Sequence, residues 1–297
     1  MTSSPAASLW IPYTQTVERH TVTGDLRVLH RMFSPQLDNQ RDIYAWLPPD
    51  YESADRRYPV IYMHDGLNLF DTYVSNSGEW RVDETMTALS AGGLPAIIVG
   101  IPNNRAARAS EYSPYANPSG QIRVEVARGD QYLAWVSETI KPLIDSTFRT
   151  LPGPATTAIA GSSMGGLISL YAFMAYPGVF GACGAFSPAF GIGDKGLLKT
   201  VEERASGRGG SIYLDVGGRE GVVTGALEPG WERRYPDADA AYVGGVRELR
   251  DALRARGYVD GESLLYVEGP EDHHHEDAWA RRLPDALRFL IGRMSGA

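Results

Sequence analysis

Short apolar runs alternate with longer stretches of helical spacing, and this alternation constrains the fold of the 297-residue chain more than any other feature. Segments 59–64 (Pro-Val-Ile-Tyr-Met-His) and 96–101 (Ala-Ile-Ile-Val-Gly-Ile) carry almost no polar side chain. Strands covered on both faces look like this, because neither face meets water. Segments 157–160, 181–186, 212–216 and 263–267 continue the series. Between them, helices are predicted over 81–90, 129–148, 164–176, 195–204, 239–256 and 276–292; in the second, Tyr132, Trp135, Val136, Ile140, Leu143 and Ile144 fall on one face. Strand and helix in turn from residue 58 onward predict an α/β fold, a largely parallel sheet with helices on both faces. Segments 26–33 and 41–47, a short turn apart, add an antiparallel edge that ends at Pro48-Pro49. One domain over 1–297 is expected, with about 1–25 as an N-terminal extension.

Charge narrows the partners. The net charge is -8 and the pI about 5.3, with no basic run. Nucleic acid and anionic membranes both reward clustered Lys and Arg, so neither is an expected partner. No apolar stretch approaches the ~18 residues of a membrane helix. The first residues lack a basic region followed by an apolar core, so a cytoplasmic location is expected. Cys183 is the single cysteine, which excludes an intrachain disulfide, and its apolar neighbours predict a buried small residue. Oligomeric state is not encoded in any of these features.

The segment Ala158-Ile-Ala-Gly161-Ser162-Ser163-Met164-Gly165-Gly166-Leu-Ile contains G-x-S-x-G, with an apolar strand before it and an apolar helix after it. The pattern alone is weak; strand–turn–helix is the context that nucleophile chemistry demands. A tight turn with little Cβ bulk lifts the Ser163 hydroxyl above the sheet, and the helix N-terminus directs positive potential at it. Met164 N–H is then placed to stabilise an oxyanion. A serine needs a base, and the fold puts it after the last strand. There the chain reads His273-His274-His275-Glu276-Asp277-Ala-Trp279. Adjacent loop residues rarely converge on one ion, and no other His/Cys spacing supports zinc, so no metal and no cofactor are expected. Spacing does not choose among the three histidines. For the acid, Asp215 at the end of 212–216 and Glu220 in Gly217-Gly-Arg-Glu220-Gly compete. Glu220 is preferred, because glycine-rich surroundings let a side chain be re-aimed; Asp215 lies within an apolar run and would need a buried partner.

Segments 103–127 and 217–235 have no clear periodicity and leave the carboxyl ends of strands, where open α/β sheets bind ligands. Arg105, Arg108, Tyr112, Tyr115 and Trp231 in them are candidates to line a pocket for an aromatic or anionic acyl group.

Taken together, these motifs resemble the putative-esterase family of α/β-hydrolases, which includes enterochelin (siderophore) esterases and the feruloyl and acetyl-xylan esterases. The resemblance runs from about Arg41 to Leu290. Tyr62-Met-His-Asp65-Gly66-Leu67-Asn68 is similar to the family's oxyanion loop, and Gly100-Ile-Pro-Asn103 followed by Arg108-Ala-Ser-Glu111-Tyr112 to its substrate loop. The resemblance implies the α/β-hydrolase fold and selects His274, five residues before Trp279, as the catalytic histidine. It also implies a second oxyanion donor at the amide of Leu67. The expected function is a serine carboxylic-ester hydrolase acting on a small-molecule ester: a siderophore lactone, an aromatic-acyl ester or a secondary-metabolite ester. An acyltransferase on the same fold and a non-catalytic binding protein are the alternatives.

Overall fold

The computed structural model describes residues 9–119, 122–207, 209–223, 233–234 and 238–295. Nine strands form one sheet in the order β1-β2-β3-β5-β4-β6-β7-β8-β11. The antiparallel edge is β1 (Ile11–Pro12), β2 (Asp25–Ser34) and β3 (Asn39–Leu47), joined antiparallel to β5 (Ile97–Ile101). From β5 the sheet is parallel through β4 (Val60–His64), β6 (Thr157–Ser162), β7 (Ala182–Phe186), β8 (Ser211–Arg219) and β11 (Leu264–His273). A separate short ribbon pairs β9 (Val222–Val223) with β10 (Arg233–Arg234).

Every residue of β4 and β5 is buried, and their side chains divide between two cores. Val60, Tyr62, Ile97 and Val99 enter one, whereas Ile61, Met63 and Ile98 enter the other. This is the two-residue period of a strand with both faces covered. The first core is closed by the helical segment 129–147, by α5 (Met164–Ala175), α6 (Gly196–Arg204) and α7 (Ala238–Ala255). The second is closed by α1 (Val82–Ala91) and α8 (Glu276–Ser295), through Met86, Leu89, Leu283, Leu287 and Leu290 among others. No helix among the described residues is long and apolar enough to cross a membrane.

Four details depart from the sequence reading, each for a physical reason. Segment 103–127 carries a helical turn at Arg105–Ala107 and α2 (Arg108–Glu111), tied to β3 by a buried Arg41–Glu111 ion pair of 2.9 Å. The predicted helix over 129–148 is α3 (Gly129–Trp135) and α4 (Lys141–Thr147), joined by a π-helical turn at Val136–Ile140. Pro142 has no N–H to offer the preceding turn, and a widened turn accommodates that loss. In the expected N-terminal extension, β1 pairs with β2, Tyr13 donates to Asp71 at 2.7 Å, and the Trp10 ring meets Phe148 edge-on. Finally, β8 and β11 run on past Val216 and Val267 as far as Arg219 and His273, across a register break between Gly269 and His273.

Candidate active site

The carboxyl ends of β4, β6, β7, β8 and β11 bring the predicted residues to one end of the sheet. Ser163 stands between β6 and α5 at φ 57°, ψ -119°, a conformation that non-glycine residues rarely adopt. Its amide donates to Phe186 O at 2.9 Å, and its carbonyl accepts from Ala189 N at 2.9 Å, so the turn is bolted to the end of β7. From residue 157 to 174 every residue is buried except Ser163. Gly161 permits this geometry: a Cβ there would lie 3.0 Å from both Gly165 C and His64 Cδ2.

The base and acid candidates meet. His274 Nδ1 lies 2.5 Å from Glu220 Oε2, with the Glu220 side chain fully buried. Glu220 Oε1 accepts from Ser187 Oγ at 2.6 Å and from Gly217 N–H at 2.5 Å. Burial alone would raise this carboxyl, but the hydrogen bond and charge of His274, then Ser187 and Gly217, hold it below the ordinary glutamate value. The imidazole is packed edge-on against Trp279 and Tyr242. Asp215 goes elsewhere. It pairs with Arg282 Nε at 2.7 Å and accepts from Tyr213 Oη at 2.8 Å and Ser187 N–H at 2.9 Å. Burial keeps its carboxyl above the ordinary aspartate value despite Arg282. The glycines before Glu220 also have a different purpose from the flexibility expected of them. A Cβ on Gly217 would meet Asp272 O at 2.4 Å, and one on Gly218 would meet Pro270 O at 2.1 Å. They let the extension of β11 close on that of β8, which carries Glu220 up to His274.

Leu67 lies in a single helical turn, Gly66–Asn68, after Asp65, which takes a left-handed conformation at φ 54°. Among the described residues neither Leu67 N–H nor Met164 N–H donates to a protein acceptor. The turn is held from two directions. Asn68 donates to Glu276 Oε1 at 2.9 Å, and Asp65 receives Arg108 at 2.8 Å from both Nε and Nη2 as well as Asn103 at 2.6 Å. Burial would lift the Asp65 carboxyl, but Arg108 and Asn103 hold it below the usual aspartate value.

The pocket candidates take different places in this geometry. Arg108 is spent on Asp65, and Tyr112 is wholly buried, its hydroxyl accepting Asp65 N–H at 3.1 Å. Both side chains brace the Leu67 turn; Tyr112 is closed off from any pocket, whereas the Arg108 side chain stays 30% exposed. Arg105 is exposed and donates to Asn76 Oδ1 at 2.9 Å, while Tyr115 is tied to Thr200 at 2.5 Å. Trp231 lies outside the described residues. A cavity of about 690 Å³ opens at the opposite end of the sheet, beside Pro154, Gly181 and Ser211, and no site residue borders it. Cys183 is buried, and burial pushes its thiol up.

Ser187 escaped the sequence reading. It takes φ 40°, donates to Glu220, and its hydroxyl also accepts from Trp279 Nε1 at 3.1 Å. Its signal in the sequence is slight: a Ser-Pro pair directly after an apolar strand. His64 was passed over too. Its Nδ1 meets Tyr132 Oη at 2.8 Å, its Nε2 is buried without a partner, and burial lowers it from 6.5 to about 3. Folded and unfolded chains both hold it neutral above pH 6.5. As pH falls from 6.5 toward about 3, only the unfolded chain protonates, so stability is lost at up to about 1.4 kcal/mol per pH unit. His64→Asn is expected to flatten the pH dependence of the urea midpoint across that window; an unchanged slope would assign the acid sensitivity to other groups.

Comparison with known proteins places this arrangement. The Bacillus subtilis (strain 168) protein YbbA is 24% identical over 257 residues, spanning 85% of this chain and 93% of YbbA. A protein named Siderophore enterobactin esterase, from Emericella nidulans, is 26% identical over 164 residues, or 52% of this chain and 54% of its own length. An IroE-like serine hydrolase from Shewanella oneidensis has a structure that superposes with a TM-score of 0.67 at 20% identity, covering 90% of this chain and 80% of that one. The family model described as Putative esterase matches residues 34–290. The chain therefore belongs to the putative esterase family, carboxylic ester hydrolases, and has the α/β-hydrolase fold.

Proposed function

We propose that this chain is a serine esterase that works through an acyl-enzyme on Ser163. The observation that carries the reading is the strained Ser163 turn, tied to the end of β7 at Phe186, one residue before the Ser187 that holds Glu220 against His274. With Nδ1 engaged by Glu220, the His274 proton exchange runs through Nε2. That nitrogen takes the proton of Ser163 as Oγ attacks the ester carbonyl, and buried Glu220 stabilises the imidazolium that results. The carbonyl oxygen becomes an oxyanion, for which the unpartnered amides of Leu67 and Met164 are the donors; one such donor is typically worth about 3–4 kcal/mol of barrier. His274 returns its proton to the leaving alcohol. Water then repeats the sequence on the acyl-enzyme, with His274 again as base, and releases the acid.

For the substrate, we propose a small-molecule ester with an aromatic or lactone acyl part, in the class that the names of the siderophore-acting relatives indicate. A panel of short-acyl, feruloyl, lactone and siderophore esters, ranked by kcat/KM, tests this part separately.

The catalytic reading is tested by a fluorophosphonate probe followed by peptide mapping. The expected result is stoichiometric labelling at Ser163, absent in Ser163→Ala and strongly slowed in His274→Ala. Labelling at another serine, or none in an intact fold, rejects the mechanism.

A further inference from the structure

The three consecutive histidines do not share one direction. The chain bends at His274 and His275, where His275 N–H donates to His273 O at 2.8 Å, and Glu220 takes the middle imidazole by its Nδ1. His273, which ends β11, and His275 are left as a pair whose ring centroids lie 5.8 Å apart. Asp277, in the first turn of α8, joins them. Its Oδ1 is 2.5 Å from His275 Nδ1 and 3.6 Å from His273 Nε2. One donor atom from each of the three residues lies within 4.8 Å of the others. All three side chains reach solvent, at 33%, 25% and 52% exposure, so an ion has direct access.

We propose that His273, His275 and Asp277 form a binding site for a divalent transition metal of the zinc class, with a further position open to water. The sequence expectation concerned adjacent histidines, whereas His273 and His275 are alternate ones. The donor set selects the ion. Two imidazoles and a carboxylate suit zinc, whereas calcium and magnesium take oxygen ligands. Zinc-to-ligand distances of about 2.0–2.2 Å would spread the close His275–Asp277 pair by a side-chain rotation, since both groups lie at the surface. Arg281 Nη1 holds Asp277 Oδ2 at 3.1 Å, which leaves Oδ1 as the ligand and also opposes the charge of the ion. The site is therefore weaker than a closed structural zinc. Its ligands flank His274 in sequence, so a bound ion clamps the segment on both sides of that residue without using it. Any effect on turnover rests on the esterase reading above; binding does not.

The test uses the full chain without a polyhistidine tag, stripped with chelator and titrated with Zn²⁺ by calorimetry, with Co²⁺ substitution followed by visible absorption. The expected result is one ion per chain and a Tm raised by Zn²⁺. His273→Ala and His275→Ala each weaken binding roughly tenfold or more, and His274→Ala leaves it within a few-fold. The proposal is overturned by absence of stoichiometric binding, or by affinity unchanged in both outer variants. Loss of binding in His274→Ala also overturns it, because the ion would then sit on the imidazole paired with Glu220. Ser163→Ala retains the site in every case, so a failure of the esterase reading leaves this titration unaffected.

Discussion

Ser163→Ala is expected to lower kcat on a p-nitrophenyl ester by up to about six orders of magnitude while the chain stays folded, a loss comparable to those found when a serine nucleophile is removed elsewhere. The fold should tolerate the change, because the turn is held by backbone groups: Ser163 N–H to Phe186 O and Ala189 N–H to Ser163 O. Alanine keeps both bonds, and the positive φ costs it about as much as it costs serine. A variant with an unchanged Tm and no turnover therefore isolates the hydroxyl. Retained hydrolysis above a small residual would place the nucleophile elsewhere.

The second large effect separates two carboxylates that the sequence offers on nearly equal terms. Glu220→Gln is expected to reduce kcat by roughly four orders of magnitude, since an amide neither fixes the same His274 tautomer nor stabilises its imidazolium. Asp215→Asn should act on the fold. Arg282 would lose its wholly buried partner and keep only Asp272, which meets its Nη1 at 2.5 Å; breaking a buried pair from one side costs about 3–5 kcal/mol, of which Asp272 offsets a part. Against a total stability of about 5–15 kcal/mol, that is a large fall in Tm. At a temperature where it remains folded, Asp215→Asn should keep most of its kcat. Both variants are compared by kcat and urea midpoint together. The reverse pattern, catalysis lost in Asp215→Asn and spared in Glu220→Gln, would exchange the two roles.

Much of this was legible in the sequence because it is written in short-range terms. The strands announce themselves by apolar runs, and α5 by its position directly after Gly161-Ser-Ser163. The candidate nucleophile is legible from its own flanks alone. The candidate acid was not legible in the same way. Asp215 ends an apolar run and Glu220 lies just beyond it, and what separates them is a long-range event: Arg282, in the last helix, claims Asp215. Ser187 was invisible for a similar reason, since its contacts with Glu220 and Trp279 are made across the fold. The bracing role of Arg108 and Tyr112 was not legible either, because a polar aromatic loop looks alike whether it faces a ligand or braces a neighbouring turn. Only the contact with Asp65 decides between the two. The glycines before Glu220 permit close strand approach, where looseness was expected.

That close approach has a consequence for how the protein can change. Glu220 and His274, the candidate acid and base, are carried at the ends of two neighbouring strands that pair in parallel up to their tips, Arg219 against His273. Their separation is therefore inherited from the spacing of a sheet, which is nearly constant at about 4.8 Å. Loops elsewhere on the rim, such as the one carrying Arg105, can be lengthened or rewritten without disturbing that distance. The loops and the Glu220–His274 spacing are in this sense inherited separately: selection can rewrite the one while the ladder keeps the other in register.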